Sequence, residues 1–571
     1  MHLSNSPSRL IKQKGAALVV FFMAIILAGA VFLVSTIDSN NANTQSENIT
    51  SVSLSKAKGA VISFAISYYI RQSTASNPLA GFHGMLPCPD PVGNGNSASC
   101  GTRHTNSIGR IPWKYLEIEP LKDSSGECLW YAVSGGFYND PKSYMANDDT
   151  PGMFQVLTEN GDIMYGATPE DRVVAVIIAP GKPLANQNRR SAEVGRPCKV
   201  TGDNVVASDY LETYLNVSNS SVSKNSTDTV DQFISASSFK NNPALNDRII
   251  TITAGEIFSE IKNNTTLYTK KINELADTIS NCLILYANNS HEEINQNLNP
   301  STTTDQCRAD CDADRDLCLI SATTGQKIAS CNLQRVSCRA SCNDGNSGNG
   351  GGQPPVSGNS YYLHLPWPAP VNLADDYRVN GSYTDQASAA NIAFGRLPIS
   401  TENSNDAMSI SSNPDIFNSC DLDINVDEMG RLWNHWKDHW FYVVGKDYQP
   451  SLNTTPASSS CAAGMCPTEE VSAKSYAALL IFSNQRIETA PYNQLRQDPY
   501  IEIGAANGNL KSEINNYLEG SNITGGTNFG DFTGSPLYND RIYCLSVETV
   551  GSTTVIKRSY EINSNNLPLC N

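Results

Sequence analysis

Residues 12–38 read KQKGAALVVFFMAIILAGAVFLVSTID. Arg9, Lys12 and Lys14 lead up to Gly15, an uncharged and largely apolar run extends from Ala16 to Val34, and the next acid is Asp38. At a rise of 1.5 Å per residue, such a run spans the roughly 30 Å hydrocarbon layer of a membrane. A cleavable secretory signal has a shorter apolar core of about 7–15 residues, followed by small-residue cleavage chemistry. Here the run is longer and no A-x-A site follows it. We read residues 1–15 as a basic leader and 16–35 as a membrane-spanning helix. The positive flank keeps the leader in the cytoplasm and sends the rest of the chain outside.

Outward from the run, the chain turns polar and then amphipathic. Leu54, Ala57, Val61, Phe64, Ala65 and Tyr68 recur at helical spacing, and no proline interrupts residues 16–76. The pattern predicts a helix reaching about Tyr69 or Arg71, with its outer half packed on a globular part. The Ser/Asn-rich stretch 39–51 marks a place for it to fray or break.

The chain of 571 residues is too long for one ordinary core, and its net charge of −16 repels phosphate backbones. Nucleic acid is therefore excluded as a partner class. Sixteen cysteines in an exported chain point to disulfides.

The remainder repeats itself. Leu86-Pro87-Cys88-Pro89-Asp90-Pro91 is echoed by Leu365-Pro366-Trp367-Pro368-Ala369-Pro370, and Gly109-Arg110-Ile111-Pro112 by Gly395-Arg396-Leu397-Pro398. Trp130–Val133 is echoed by Trp440–Val443 and Val173–Ile178 by Tyr476–Ile481, while Asn246-Asp247-Arg248-Ile249 returns unchanged as Asn539-Asp540-Arg541-Ile542. The amphipathic helix has its own echo in Ile272, Leu275, Ile279, Cys282, Leu283 and Tyr286. The order is kept throughout, so we read two related heads, 36–262 and 263–571. Trp130–Val133, Val173–Ala179 and Ile249–Thr253 have strand character. A helix followed by runs of strands makes each head α+β with an antiparallel sheet.

These residues resemble a known family. Lys14-Gly15-Ala16-Ala17-Leu18-Val19-Val20 is similar to the N-termini of type IV pilins and type II secretion pseudopilins, particularly the minor ones. The order LPCPD, LPW, LWYAV resembles the heads of some bacterial pseudopilin-like proteins. The resemblance implies cleavage between Gly15 and Ala16 by a prepilin peptidase, methylation of the new terminus, and residence in the inner membrane until the helix packs among other pilin subunits. The family glutamate at the fifth mature position is replaced here by Val20. A carboxylate in lipid is kept only with a partner, and in the family that partner is a neighbour's terminal ammonium. Its absence resembles the subunit at a filament tip and bears against efficient methylation.

The second head carries an insertion. Cys307, Cys311, Cys318, Cys331, Cys338 and Cys342 form a mirror-symmetric spacing about Thr323–Gln326. Two antiparallel helices would set these cysteines face to face, because offsets of 0, 4 and 11 share a helix face. We expect a stapled hairpin over 301–342 with pairs Cys307–Cys342, Cys311–Cys338 and Cys318–Cys331. Zinc on the same thiolates is the competing reading, and export argues against it. Residues 343–360 read as a Gly/Ser/Asn-rich tether. Cys88–Cys100, Cys461–Cys466 and Cys544–Cys570 are plausible local loops.

No catalytic signature emerges. His435 and His439 lie four apart, a metal-binding spacing on a helix, but Trp433, Trp436 and Trp440 share one stripe that reads as core. Asp90, Asn94 and Asn96 offer oxygens to calcium, although turn chemistry explains their glycines equally well. No other cofactor is expected. The expectation is a minor pilin or pseudopilin-like subunit at or near a filament tip, serving assembly and surface contact. The alternatives are a membrane-tethered extracytoplasmic binding protein or adhesin outside any filament, and a tethered periplasmic hydrolase.

Overall fold

A computed structural model of the chain describes residues 42–72, 84–298 and 363–570, with breaks that include 101–104, 139–146, 201–204, 224–229, 238–241, 411–414, 452–463, 497–509 and 531–538. The leader, the 16–35 span, the 301–342 hairpin with its six cysteines, the 343–360 tether and Cys461 lie outside the described residues.

The fold is mixed α and β. Helix α1 (Ala42–Gln72) is unbroken over residues 42–51, the described part of the Ser/Asn-rich stretch where the sequence suggested fraying or a break. Within it, Gln45–Ser67 is long and apolar enough to cross a membrane, yet 33% of its most apolar window is buried inside the protein. Leu54, Ala57, Val61, Phe64 and Ala65 all turn into the core, as their spacing predicts.

The first half then lays down β1 (Ser107–Arg110), β2 (Trp130–Val133), β3 (Phe154–Thr158), β4 (Ile163–Tyr165), β5 (Val173–Ala179), β6 (Asp231–Ser235) and β7 (Arg248–Thr253). Strand β5 is central. It pairs antiparallel with β2 through Trp130↔Ile178 and with β7 through Ile178↔Ile249. Every residue of β5 is buried, because one sheet face meets α1 and the other meets an outer layer containing Tyr210 and Leu211. The sheet is not wholly antiparallel as the sequence suggested: β6 runs parallel to β3.

Strand β7 passes directly into α2 (Ala254–Asn263). Thr253 and Glu256 form a reciprocal cap, with Glu256 N donating to Thr253 Oγ1 at 3.3 Å and Thr253 N donating to Glu256 Oε2 at 3.0 Å. Lys58 on α1 reaches the same glutamate at 2.5 Å, tying the two helices together.

Helix α3 (Thr265–Leu298) opens the second half. After it come β8 (Ile392–Arg396), α4 (Glu402–Met408), α5 (Glu428–Trp436), β9 (Trp440–Gly445), β10 (Ala478–Phe482), β11 (Arg541–Val550) and β12 (Thr553–Arg558). The strands form a sheet in the order β8-β9-β10-β11-β12. Ile272, Leu275, Ile279, Cys282, Leu283 and Tyr286 of α3 are all buried.

The register corrects one alignment. Arg110 stands opposite Trp130, and Arg396 stands opposite Phe441, not Trp440. Phe441 also pairs with Ile481, which pairs with Ile542. The segment in the position of Trp130–Val133 is therefore Phe441–Val444. One residue matters because adjacent strand side chains face opposite sides. Trp130 and Phe441 face the outer layers, whereas Trp440 faces the helices.

The halves do not have separate helix-side cores. A single hydrophobic cluster runs from Leu54 and Phe64 through Phe258 and Ile279 to Trp440 and Tyr543. Within it Trp436 packs edge-on against Phe258 and at a tilt against Tyr268.

Four described disulfides fix the loops. Cys88–Cys100 and Cys544–Cys570 match the local pairs expected from sequence. Cys128–Cys198 and Cys282–Cys420 were not expected. Cys466 is also disulfide-bonded.

Candidate functional site

The most concentrated chemistry lies where the halves meet. Residues 147–150 of the first half form a turn in which Asn147 Oδ1 accepts from Asp149 N at 2.9 Å. The Asn147 amide donates across the seam to His435 O at 2.8 Å and to Asp438 Oδ1 at 2.9 Å. This places Asp148 and Asp149 against His439, which ends a 3-10 turn just before β9.

His439 Nε2 lies 2.9 Å from Asp149 Oδ2, 3.8 Å from Asp148 Oδ1 and 3.9 Å from Asp438 Oδ1. Its Nδ1 lies 2.7 Å from Ser483 O. Lys511 donates to Asp438 Oδ2 at 2.5 Å and lies 3.9 Å from Asp149 Oδ2. Tyr517 adds a hydroxyl to Asp438 at 3.1 Å, and Lys262 of α2 pairs with Asp148. The side chains of Asp149, Asp438, His439 and Lys511 are at most 1% exposed.

Burial alone would raise both central carboxyls, but the cations outweigh it. His439 and then Lys511 hold Asp149 far below the usual carboxylate range. Lys511 and then His439 hold Asp438 down in the same way, against repulsion from Asp149.

Asp148, Asp149 and His439 each offer one atom within 4.8 Å of the others, a set that invites a metal. The surroundings do not fit one. Lys262 and Lys511 already neutralise two of the three carboxylates, and a dication would leave this sealed cluster with excess positive charge. It would also sit close to the Lys511 ammonium. Among the described residues these side chains are closed over, and their bonds join the two halves.

A second arrangement appears once in each half. Gln187 donates to Glu212 Oε1 at 2.7 Å, and Gln494 donates to Glu519 Oε1 at 2.9 Å. The Gln oxygen takes a donor from Arg189 in one case and Arg496 in the other. Each arginine also donates to a tyrosine carbonyl, Tyr210 or Tyr517, at 3.1 Å. The glutamates accept from Asp247 N and Asp540 N, while the aspartates accept from Glu212 N and Glu519 N and from Asn219 and Asn522. Arg110 and Arg396 stack on the same tyrosine rings at 4.3 and 4.7 Å. Sequence reading found the Asn-Asp ends of these networks. It missed Gln187-Asn188-Arg189 against Gln494-Leu495-Arg496, and Tyr210-Leu211-Glu212 against Tyr517-Leu518-Glu519, although both pairs are visible as short identities in register.

The other sequence-derived sites are accounted for as follows. Asp90 is buried, and its carboxylate accepts from the backbone N–H groups of Val92, Gly93 and Gly95. Asn94 Oδ1 accepts from Asn96 N at 2.9 Å, so these residues cap their own turn. His435 is buried on α5, and the three-residue group of Asp148, Asp149 and His439 does not include it. Trp433, Trp436 and Trp440 are core. No protein family, curated protein or solved structure matches this chain.

Proposed function

We propose that the chain is a minor pilin or pseudopilin-like subunit. It is held in the inner membrane by residues 16–35, is processed after Gly15, and displays two heads derived by internal duplication outside the membrane. The observation that carries this reading is α1. It follows the apolar run with no proline between them, and its outer part forms the core of a sheet-bearing half. The duplication is supported by the two matching Arg-Gln-Glu-Asp networks and by the matched registers of β1-β2-β5-β7 and β8-β9-β10-β11. Val20 suits a subunit at or near a filament tip, where no neighbour ahead requires a carboxylate.

A tethered binding protein outside any filament is the second reading, and the same Val20 keeps it in view. Sheared surface filaments separate the two. A filament subunit is recovered in the sheared fraction and is lost from it when Gly15→Leu blocks processing. A simple tethered binder stays with the membranes in both cases.

A further inference from the structure

We propose that Lys182, Arg190, Arg196 and Lys199, together with the exposed hairpin tip Val194, form a contact surface for anionic lipid headgroups at the membrane end of the first half. The proposal rests on the reading of residues 16–35 as the membrane span. Only residues 36–41 separate that span from Ala42, where α1 begins, a distance of roughly 20 Å even when fully extended. The parts of the fold that touch the first turns of α1 therefore stand nearest the bilayer. One of them is the turn at Ser124, whose hydroxyl accepts from Ser46 Oγ at 2.6 Å and whose N–H donates to Thr50 Oγ1 at 3.1 Å. The short strands Ala192–Glu193 and Arg196–Val200 form a hairpin that is fastened to this turn. Cys128–Cys198 joins the two covalently, Arg189 lies 3.6 Å from Glu127, and Asp123 Oδ2 accepts from Gly181 N at 2.8 Å.

Charge carries the argument from there. In a chain whose net charge is −16, the stretch 181–200 holds five cations, Lys182, Arg189, Arg190, Arg196 and Lys199, against one acid, Glu193. Arg189 is spent inside the fold: its side chain is 5% exposed and donates to the carbonyls of Gly181 and Pro180. Lys182, Arg190 and Arg196 are exposed and Lys199 is half-buried, and Glu193, 3.0 Å from Lys199 and 3.6 Å from Arg196, offsets only one of them. The acids nearest the start of α1 are answered within the fold, Glu47 by Arg248 at 4.0 Å and Glu127 by Arg189. Val194, at the turn of the hairpin, is 99% exposed. Cations beside an apolar tip suit a headgroup layer, whose phosphates take the charge and whose interface takes the apolar group. The second half supplies an internal comparison. Gln187 and Glu212 precede Gln494 and Glu519 by the same number of residues, so 181–200 answers to 488–507. That stretch has Arg496, the counterpart of inward Arg189, against Glu488, Asp498 and Glu502. The inward cation is kept in both halves, and the outward ones belong only to the half that follows the span.

The test uses the full chain in lipid nanodiscs, one set of phosphatidylcholine alone and one with about one-third phosphatidylglycerol. Amide exchange over 190–200 is compared at about 0.15 M and about 1 M salt, between which the screening length falls from about 8 Å to about 3 Å. At low salt the segment should be more protected in the phosphatidylglycerol discs, and high salt should remove the difference. Lys182→Gln with Arg196→Gln should lower this lipid-dependent protection on the order of fivefold for each cation removed. Lys474→Gln, at an exposed cation of the second half, should leave it unchanged. Equal exchange in both lipids, with the chain embedded in the discs, overturns the contact and leaves the span reading standing. A chain that washes off the discs overturns the span reading and the contact with it. Protection that rises with the number of chains per disc, whatever the lipid, assigns the cations to an acidic surface of a second copy and overturns the lipid contact.

Discussion

At the scale of single residues, the paired acids control how the folded state answers to pH. Among the described residues, Glu212 with Asp247, and Glu519 with Asp540, share a buried site without an ion-paired cation, and Oδ1 of each aspartate has no hydrogen-bond partner. Burial and then the Glu212 charge lift the Asp247 carboxyl well above its usual range, and burial with Glu519 does the same for Asp540. A group whose folded pKa is raised contributes its stability fully below the unfolded pKa, about 3.9 for aspartate, and loses it as pH rises through the folded value. Asp247→Asn puts an amide N–H where the retained proton stands. It should remove part of the stability loss seen in urea melts between about pH 4 and about pH 8, by roughly 1.4 kcal/mol per unit of raised pKa. Identical pH slopes in wild type and variant would count against the raised Asp247 carboxyl.

The glycines of the GRIP and GRLP segments have an equally local cause. A Cβ on Gly395 would stand 2.0 Å from Ala369 O, and one on Gly109 would stand 2.8 Å from Asp90 O. Gly395→Ala should lower stability by at least about 1–3 kcal/mol, the usual cost of forcing atoms into a packed site, and Gly109→Ala should cost less. Thermal melts of the two variants decide the order. The sequence already showed these glycines in matching positions. It could not show the carbonyls behind them, because the Pro-rich loops reach the strands only in the folded chain.

At the scale of elements, α1 and β5 were legible because their patterns are periodic or continuous over their full length. Five positions at helical spacing in α1 are buried, and the unbroken apolar run of β5 is covered on both faces. Phe64 packs against Tyr115 at 5.2 Å, so Phe64→Ala should cost about 3–5 kcal/mol, measurable by chemical denaturation. A change below 1 kcal/mol would mean that the helix is not part of the core. The Cys282–Cys420 bond ties α3 to a turn across 138 residues of chain, a separation at which no local spacing rule applies. Its removal by Cys282→Ala with Cys420→Ala should cost roughly 2–4 kcal/mol. The Trp130 alignment slipped by one because two aromatic-led segments look alike in sequence, and only the hydrogen-bond register tells the two faces apart.

At the scale of the whole molecule, the two halves form one body. Helices α1, α2 and α3 supply a shared core, and Asp149 with His439 closes the seam beside it. Calorimetry of the intact protein should therefore show one main cooperative transition, whereas two well-separated transitions would show independent heads. That seam was illegible in the sequence, since Asp148 and Asp149 sit in an unremarkable acidic turn almost three hundred residues from their partner. The N-terminal run lies outside the described residues, so its membrane reading rests on its length in the sequence alone.

The most direct measurement is the identity of the first residue of the mature protein, read by N-terminal peptide mass spectrometry from cells with an active prepilin peptidase. The proposed subunit begins at Ala16, with or without a methyl group. A mature chain that keeps Gly15 and the residues before it would contradict the filament reading and leave a tethered two-part protein in its place.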